Sequence, residues 1–245
     1  MPIKTGFAFP PMIFGHVHMV KTAGTEINGR FAQRFERICG HKGYSFDATK
    51  FNQRQKKPKD TISKYDRGRV PLPIMNEIGY HDCDWVSFEA PKHLWGGLVD
   101  ELAPWPLELH LPCRDPIDHL MSQCNYLMRT FDCTNVNITK QVERCILEAN
   151  RYGDSLGLHE NITLKCFNPI PIEPYLDYMT QFLQQRRISE PYIHRETNRP
   201  RNKTNECIWN SPKKQEVLNI MMKMPYYRFC NSCIGGKDDL LAVRP

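Results

Sequence analysis

A short loop of small and basic residues lies between an apolar stretch and an amphipathic segment near the start of the chain. Residues 12–20 are mostly apolar, as in a buried strand, and residues 26–39 carry apolar side chains on one helical face. A strand–loop–helix unit brings backbone N–H groups and the positive end of a helix dipole to one point. We therefore expect an anion-binding site, with a tight turn carrying a surface lysine as the alternative. The loop residues are Lys21, Thr22, Ala23, Gly24 and Thr25.

The side chains of this loop suit an anionic ligand. Lys21 supplies an ammonium group, and Thr22 and Thr25 supply hydroxyls. Gly24 has no Cβ, so the backbone there can approach an anion closely.

An NTP-dependent kinase with a degenerate Walker loop is one alternative function for this segment. The Walker pattern is G-x-x-x-x-G-K-[ST], and Gly15 matches its first glycine. Val20 stands where the second glycine is required, and valine does not readily adopt the positive φ of that position. The departure disfavours a nucleotide triphosphatase.

A second candidate anion site follows the short strand predicted at residues 107–112. Arg114 comes at the end of that strand, where its guanidinium offers a forked donor to a phosphate. Ser122 lies eight residues later, about two helical turns on, so its hydroxyl is expected to face the same anion. The alternative is a plain strand-to-helix cap in which Asp115 pairs with Arg114.

Together the two segments resemble the nucleotide-binding motifs of sulfotransferases, in particular the carbohydrate sulfotransferases. The first family motif typically reads H-x-P-K-T-G-G-T, and residues 18–25 read HMVKTAGT, with Val20 for proline and Ala23 for glycine. The second is R-[DE]-P with a serine eight residues after the arginine, and residues 114–122 read RDPIDHLMS. The family often has a second arginine where this chain has His119, which implies a weaker positive field.

The resemblance implies a P-loop-type, doubly wound α/β fold with a mainly parallel sheet flanked by helices. It implies the donor 3′-phosphoadenosine 5′-phosphosulfate, with residues 21–25 at the 5′-phosphosulfate and Arg114 and Ser122 at the 3′-phosphate. Lys21 is expected to stabilise the bridging oxygen of the leaving phosphate. No metal is expected, because a sulfuryl group carries less charge than a phosphoryl group. The implied acceptor is a hydroxyl of a glycan or a small alcohol.

The general base is expected between the two motifs, because the family takes a glutamate or histidine from that segment. Glu89, directly after the strand predicted at residues 85–88, is the first candidate, and His93 is the second. The alternatives are a carboxylate that favours a helix dipole for Glu89 and an ordinary polar residue for His93. His81 and two histidines of the first strand, His16 and His18, are weaker candidates, and His18 is expected to be buried support.

The elements alternate between strands and helices, which favours an α/β fold with a parallel sheet. We predict one domain over residues 1–245. Residues 40–82 are expected to form a polar insertion that either binds the acceptor or is simply surface. Residues 189–245 are expected to form an irregular C-terminal part around one helix at 213–224. Further predicted elements are helices at 114–131, 138–152 and 174–187 and a strand at 163–167.

The composition of the chain favours some classes of ligand and disfavours others. The 245 residues include 33 Lys+Arg and 27 Asp+Glu, a net charge of +6, and the pI is about 8.8. This mild excess suits a small anion or an acidic glycan and is weak for nucleic acid. No apolar run approaches the roughly 20 residues of a membrane span, so membrane attachment is expected only through an anchor absent from this chain. A glycan-binding module without catalysis, on the same fold, remains a further alternative.

Cysteines and glycosylation sequons favour an oxidising compartment. There are ten cysteines, an even number at wide spacing that permits disulfides. The pair Cys230 and Cys233 is expected to form disulfides or packed thiols rather than a zinc site. Three sequons begin at Asn137, Asn161 and Asn202. The Golgi lumen is favoured, and the cytoplasm is the alternative if Met1 is the true start.

Two further features have both a functional and an ordinary interpretation. The segment Asn202, Lys203 and Thr204 could close over a nucleotide or be a solvated loop. Trp95 and Trp105 could stack on sugar rings or belong to the core.

Overall fold

A five-stranded parallel sheet organises the protein. The structure is a computed structural model that describes residues 12–35, 38–39, 84–88, 106–146, 162–185 and 207–242. The strands are β1 (Ile13–Val17), β2 (Ile38–Cys39), β3 (Trp85–Phe88), β4 (Leu107–Pro112) and β5 (Ile162–Phe167). Their order is β2-β3-β1-β4-β5, and each neighbouring pair is parallel.

Helices cover both faces of this sheet. The helices of the described segments are α1 (Gly24–Arg34), α2 (Pro116–Tyr126), α3 (Ile138–Cys145), α4 (Glu173–Met179), α5 (Lys214–Met221) and α6 (Pro225–Cys233). Buried side chains of α1 and α4 form one apolar cluster, and those of α2, α3, α5 and α6 form the other. The α/β class and the mainly parallel sheet are thus confirmed.

The strand residues divide between the two clusters with the period of two that strands require. On β1, Ile13 and Val17 belong to the cluster under α2, and Phe14 belongs to the cluster under α1. His16 lies on the α1 side, stacked on Trp85 with ring centroids 5.3 Å apart. Because both faces are covered, the strand is buried throughout and its sequence is apolar rather than alternating.

The first predicted helix is too long at its C-terminal end. The expected helix over residues 26–39 stops at Arg34, and residues 38–39 form β2 instead. Phe35 has extended backbone angles (φ −125, ψ 153) and makes an antiparallel bridge with Gln185. The apolar spacing of Ile38 continued the helical pattern, but it is equally compatible with a two-residue strand beside β3.

The second predicted helix begins and ends inside its expected limits. Asp115 caps α2, its side chain accepting a hydrogen bond from the Asp118 backbone N–H, and Pro116 occupies the first turn. The helix ends at Tyr126 rather than at residue 131, and Met128 just beyond it has a positive φ of 54°.

The C-terminal part is more regular than expected. One helix was predicted at 213–224, and the structure has two, α5 and α6, separated by a short turn before Pro225. Two tyrosines of α6, Tyr226 and Tyr227, are buried in the cluster beneath it. The predicted helix at 213–224 corresponds to α5, and the prediction of irregular structure is wrong for residues 225–233, which form α6.

Four disulfides cross-link the described segments, as the cysteine count predicted. They join Cys113 to Cys230, Cys124 to Cys145, Cys133 to Cys207 and Cys166 to Cys233. Cys230 and Cys233 therefore pair with the ends of β4 and β5, not with each other. Such a set of disulfides is typical of a secreted or lumenal, oxidising compartment. Within the described ranges, no helix is both long and apolar enough to span a bilayer.

Candidate anion-binding site

Both predicted anion motifs lie at the point where the connections of the sheet diverge. β1 and β4 are neighbours in the sheet. From β1 the chain continues through α1 to β2 on one side, and from β4 it continues to β5 on the other. In open α/β sheets, ligands bind in the crevice at the carboxyl ends of such strands. The loop after β1 and Arg114 after β4 therefore share the expected ligand crevice.

The loop after β1 has a backbone shaped to present N–H groups. Lys21 and Ala23 have positive φ values of 66° and 64°, and residues of this left-handed conformation are one component of anion-binding nests. Ala23 precedes the first helical residue, Gly24, and makes no side-chain cap to α1. The helix start thus offers N–H groups and the positive end of its dipole to a ligand.

The side chain of His18 leaves no room for a Cβ atom on Gly24, the first residue of α1. A Cβ built on Gly24 would lie 2.0 Å from His18 Cδ2 and 2.2 Å from its Nε2. His18 is itself buried, with 4% of its surface exposed. His18 is therefore a buried residue that packs against the loop, as expected. Residue 24 must be a glycine because the His18 ring lies so close to it.

Thr22 and Thr25 do not occupy equivalent positions. Thr22 is fully buried, and its hydroxyl donates a hydrogen bond of 2.8 Å to the Met19 carbonyl. The expectation that this hydroxyl binds the anion is therefore corrected: Thr22 shapes the loop. Thr25, the second residue of α1, is partly exposed at the helix start, so it remains a candidate ligand for the anion.

Arg114 connects the two motifs directly. Its Nη1 donates a hydrogen bond of 3.1 Å to the carbonyl oxygen of Lys21. The guanidinium is thus held against the backbone of the loop after β1.

His119 holds the neighbouring carbonyl of the same loop. Its Nε2 donates to the Val20 carbonyl at 2.7 Å, and the Tyr227 hydroxyl donates to its Nδ1 at 2.8 Å. Because a carbonyl can only accept, the contact with Val20 places the proton on Nε2, and the Gln123 amide group 2.8 Å from the same atom then presents its oxygen. Burial, with a smaller contribution from the charges of Arg114 and Lys21, lowers the pKa of His119 to about 4. His119 is therefore neutral and supplies position rather than charge.

The Lys21 ammonium reaches along α2. It lies 5.0 Å from the ring centroid of Tyr126, a cation–π contact. Ser122 is one turn before Tyr126, so both residues share a face of α2, and Ser122 is partly exposed. Lys21, Ser122 and Arg114 thus belong to one region around the loop and α2.

α6 supports the site from behind. The Tyr226 hydroxyl donates to the Pro112 carbonyl at 2.6 Å, at the end of β4. The Cys113–Cys230 disulfide fixes the residue that precedes Arg114 to the same helix. Burial raises the pKa of both Tyr226 and Tyr227, so their hydroxyls stay protonated and can donate.

The candidate bases between the motifs lie outside the described residues. These are Glu89, His93 and His81, and the segment 202–204 and the tryptophans at 95 and 105 lie outside them too. His16 is described: it is buried, shares a hydrogen bond of 2.9 Å between its Nδ1 and Ser87 Oγ, and has a pKa lowered chiefly by burial. It is a core residue of the sheet and does not reach the crevice surface.

Sequence reasoning did not find the supporting role of His119, nor its partner Tyr227. His119 stands where the motif that residues 114–122 resemble often has an arginine, and that signal pointed to lost charge rather than to a new contact. Tyr227 is 108 residues away along the chain, and no local pattern links the two.

Comparisons with known proteins do not indicate a function for this chain. No family model matches the chain, and neither a curated protein nor a solved structure is significantly similar to it.

Proposed function

We propose that this protein is a sulfotransferase. It would move a sulfuryl group from 3′-phosphoadenosine 5′-phosphosulfate to a hydroxyl group of a carbohydrate. The observation that carries the proposal is the 3.1 Å hydrogen bond from Arg114 to the Lys21 carbonyl. It brings together two motifs that are far apart in the sequence, as a nucleotide with phosphate groups at two ends requires. The P-loop-type classification of the fold is part of the same proposal.

The residues around the crevice fit this donor. The loop N–H groups, the start of α1 and the Lys21 ammonium suit the 5′-phosphosulfate. Arg114 and Ser122 suit the 3′-phosphate, because a guanidinium and a hydroxyl can both donate to one anion. The carbonyls of Val20 and Lys21 would otherwise repel an anion, and His119 and Arg114 donate hydrogen bonds to them.

The proposed reaction is a single in-line displacement. The acceptor oxygen forms a bond to sulfur, and the bond from sulfur to the bridging phosphate oxygen breaks. The acceptor proton passes to a base, and adenosine 3′,5′-bisphosphate leaves. Lys21 stabilises the charge that develops on the bridging oxygen.

Glu89 is the proposed base, and His93 is the second choice. Both follow β3, which lies beside β1 in the sheet. A base must lie within hydrogen-bond reach of the acceptor hydroxyl, so Glu89→Gln is expected to abolish turnover while donor binding persists.

The cellular setting proposed is the Golgi lumen. The four disulfides support this setting, because disulfides are typical of oxidising compartments. Lumenal glycans are then the accessible acceptors, with small alcohols as a second acceptor class, and neither a metal nor a nucleic acid is required.

A transfer assay tests the proposal. The donor is incubated with a panel of glycans and small alcohols, and sulfated product is detected by mass. Lys21→Ala is expected to lower kcat about 10²–10³-fold, as for loss of one transition-state donor. Lys140→Ala, an exposed lysine on α3, serves as the matched control. Full turnover by Lys21→Ala, or phosphoryl transfer from magnesium ATP in place of sulfuryl transfer, would contradict the assignment.

A further inference from the structure

Asn137, in the loop before α3, both caps the helix and is exposed to solvent. Asn137 caps α3, and its Oδ1 accepts a hydrogen bond of 3.0 Å from the Lys140 backbone N–H. The cap uses only the amide oxygen. The amide nitrogen, Nδ2, is not required for it, and the residue is exposed.

The residues after Asn137 complete a glycosylation sequon with the correct exposure. Ile138 is buried in the core with 1% of its surface exposed, and Thr139 is exposed. On the other side, Val136 is 92% exposed, so the chain before the cap faces solvent. The core anchor at Ile138 and the exposed residues around it fix Asn137 at the surface.

The compartment makes this sequon usable. N-linked transfer takes place in the secretory pathway, where disulfides also form. Two of the disulfides flank the sequon along the chain: Cys133 pairs with Cys207, and Cys145, the last residue of α3, pairs with Cys124.

We propose that Asn137 carries an N-linked glycan, attached through Nδ2, while its Oδ1 continues to cap α3. A polyprenyl-pyrophosphate-linked oligosaccharide is the donor. The bond from Nδ2 to C1 of the first sugar forms, and the bond from C1 to the pyrophosphate oxygen breaks. Nδ2 loses one proton, and the polyprenyl pyrophosphate leaves. The amide carbonyl is retained, so the glycosylated residue keeps its acceptor for the Lys140 N–H. This site is independent of the proposed sulfotransferase activity.

The experiment maps the glycan at a single peptide. The full chain is secreted from eukaryotic cells behind a cleavable leader, together with an appended reporter sequon that reports on the host machinery. Trypsin cleavage after Arg129 and Lys140 gives the peptide 130–140, which contains Asn135 and Asn137. Enzymatic release of N-glycans converts a glycosylated asparagine to aspartate, which mass spectrometry detects. Asn135 is the internal control, because it is not in a sequon.

Three variants separate glycosylation from capping. Thr139→Ala removes the sequon and keeps Asn137 as the cap. Asn137→Asp removes the acceptor nitrogen and keeps a good capping residue. Thr139→Ser keeps both the sequon and the cap.

We expect conversion at position 137 in the wild type and in Thr139→Ser, none at Asn135, and loss of the glycan in the other two variants, which still fold. A secreted, folded wild type with Asn137 unmodified while the reporter sequon is occupied would overturn the proposal. Persistence of the modification in Thr139→Ala would overturn it as well.

Discussion

At the scale of single residues, the contact between Gly24 and His18 is the tightest constraint on the candidate loop. A Cβ at residue 24 would stand 2.0 Å from the His18 ring, and both residues are held by neighbouring elements. We predict that Gly24→Ala lowers the free energy of unfolding by about 1–3 kcal/mol, as for other overpacked sites. Urea denaturation measures this.

A double-mutant cycle gives the control for that prediction. His18→Ala removes the ring, so Gly24→Ala should cost much less in the His18→Ala background than in the wild type. Equal costs in the two backgrounds would show that the histidine ring does not determine the need for glycine.

His119 gives the second prediction at this scale. His119→Gln is expected to keep a donor near the Val20 carbonyl but to lose the Tyr227 bond, whereas His119→Ala loses both. If the role is to position the loop, the Kd for adenosine 3′,5′-bisphosphate should rise in the order wild type, Gln, Ala, with all three folded at the assay temperature. Unchanged Kd values in a folded His119→Ala would leave only a packing role and contradict the positioning role.

At the scale of elements, α6 is the support that the sequence did not reveal. It carries Tyr226 and Tyr227 to the end of β4 and to His119, and its two cysteines bond to Cys113 and Cys166. We predict that the double variant Cys113→Ser/Cys230→Ser loses about 2–5 kcal/mol of stability. It should also bind the nucleotide more weakly, because Arg114 follows Cys113 directly.

The matched control for this prediction is Cys133→Ser/Cys207→Ser, which removes a disulfide between two other segments. It should lose stability but keep nucleotide affinity when both are measured well below the unfolding transition. Equal losses of affinity in the two double variants would show that the Cys113–Cys230 bond has no special relation to the site.

Long apolar patterns made most of the fold predictable, and short elements did not. β1 is a short run of buried, mostly apolar residues, β4 has a leucine at every second position, and α2 has a capping aspartate with a proline after it, so their sequence signals are strong. β2 has only two residues, too few to show a periodic pattern of apolar side chains. The two anion motifs were found from residue type and spacing, but their supports depend on tertiary contacts between distant segments.

At the scale of the whole molecule, buried histidines make stability depend on pH. Burial lowers the pKa of His16, His110 and His119 below the ordinary value of 6.5. The unfolded chain therefore binds more protons than the folded chain as pH falls below about 6.5, so stability present at neutral pH is lost on acidification. His119 alone, with a pKa of about 4, is expected to contribute up to about 3 kcal/mol to this loss.

Urea unfolding at pH 7, 6 and 5 tests this dependence. The free energy of unfolding should fall with pH in the wild type, and the slope should be smaller in His119→Gln. A flat profile between pH 7 and 5 would mean that these histidines are solvated or charged in the folded protein, against their burial.

The two basic residues of the candidate site, Lys21 and Arg114, follow strands β1 and β4, which are neighbours in the sheet. The net charge of +6 is modest, but both residues follow the carboxyl ends of their strands, and the Arg114 guanidinium donates to the Lys21 carbonyl. A ligand with two phosphate groups gains from both, whereas one with a single phosphate gains from one. The affinities of two nucleotides should therefore respond differently to loss of one charge.

The most direct measurement is calorimetric titration of the wild type and Arg114→Ala with adenosine 3′,5′-bisphosphate and with adenosine 5′-phosphate. We predict that the wild type binds the bisphosphate more tightly. Arg114→Ala should weaken bisphosphate binding about 10–100-fold, as for loss of a charged hydrogen bond, and weaken the monophosphate less, because the monophosphate loses only the support that Arg114 gives the Lys21 carbonyl. Failure of the folded wild type to bind the bisphosphate, or equal weakening of both nucleotides by the substitution, would contradict a crevice in which Lys21 and Arg114 hold two ends of one nucleotide.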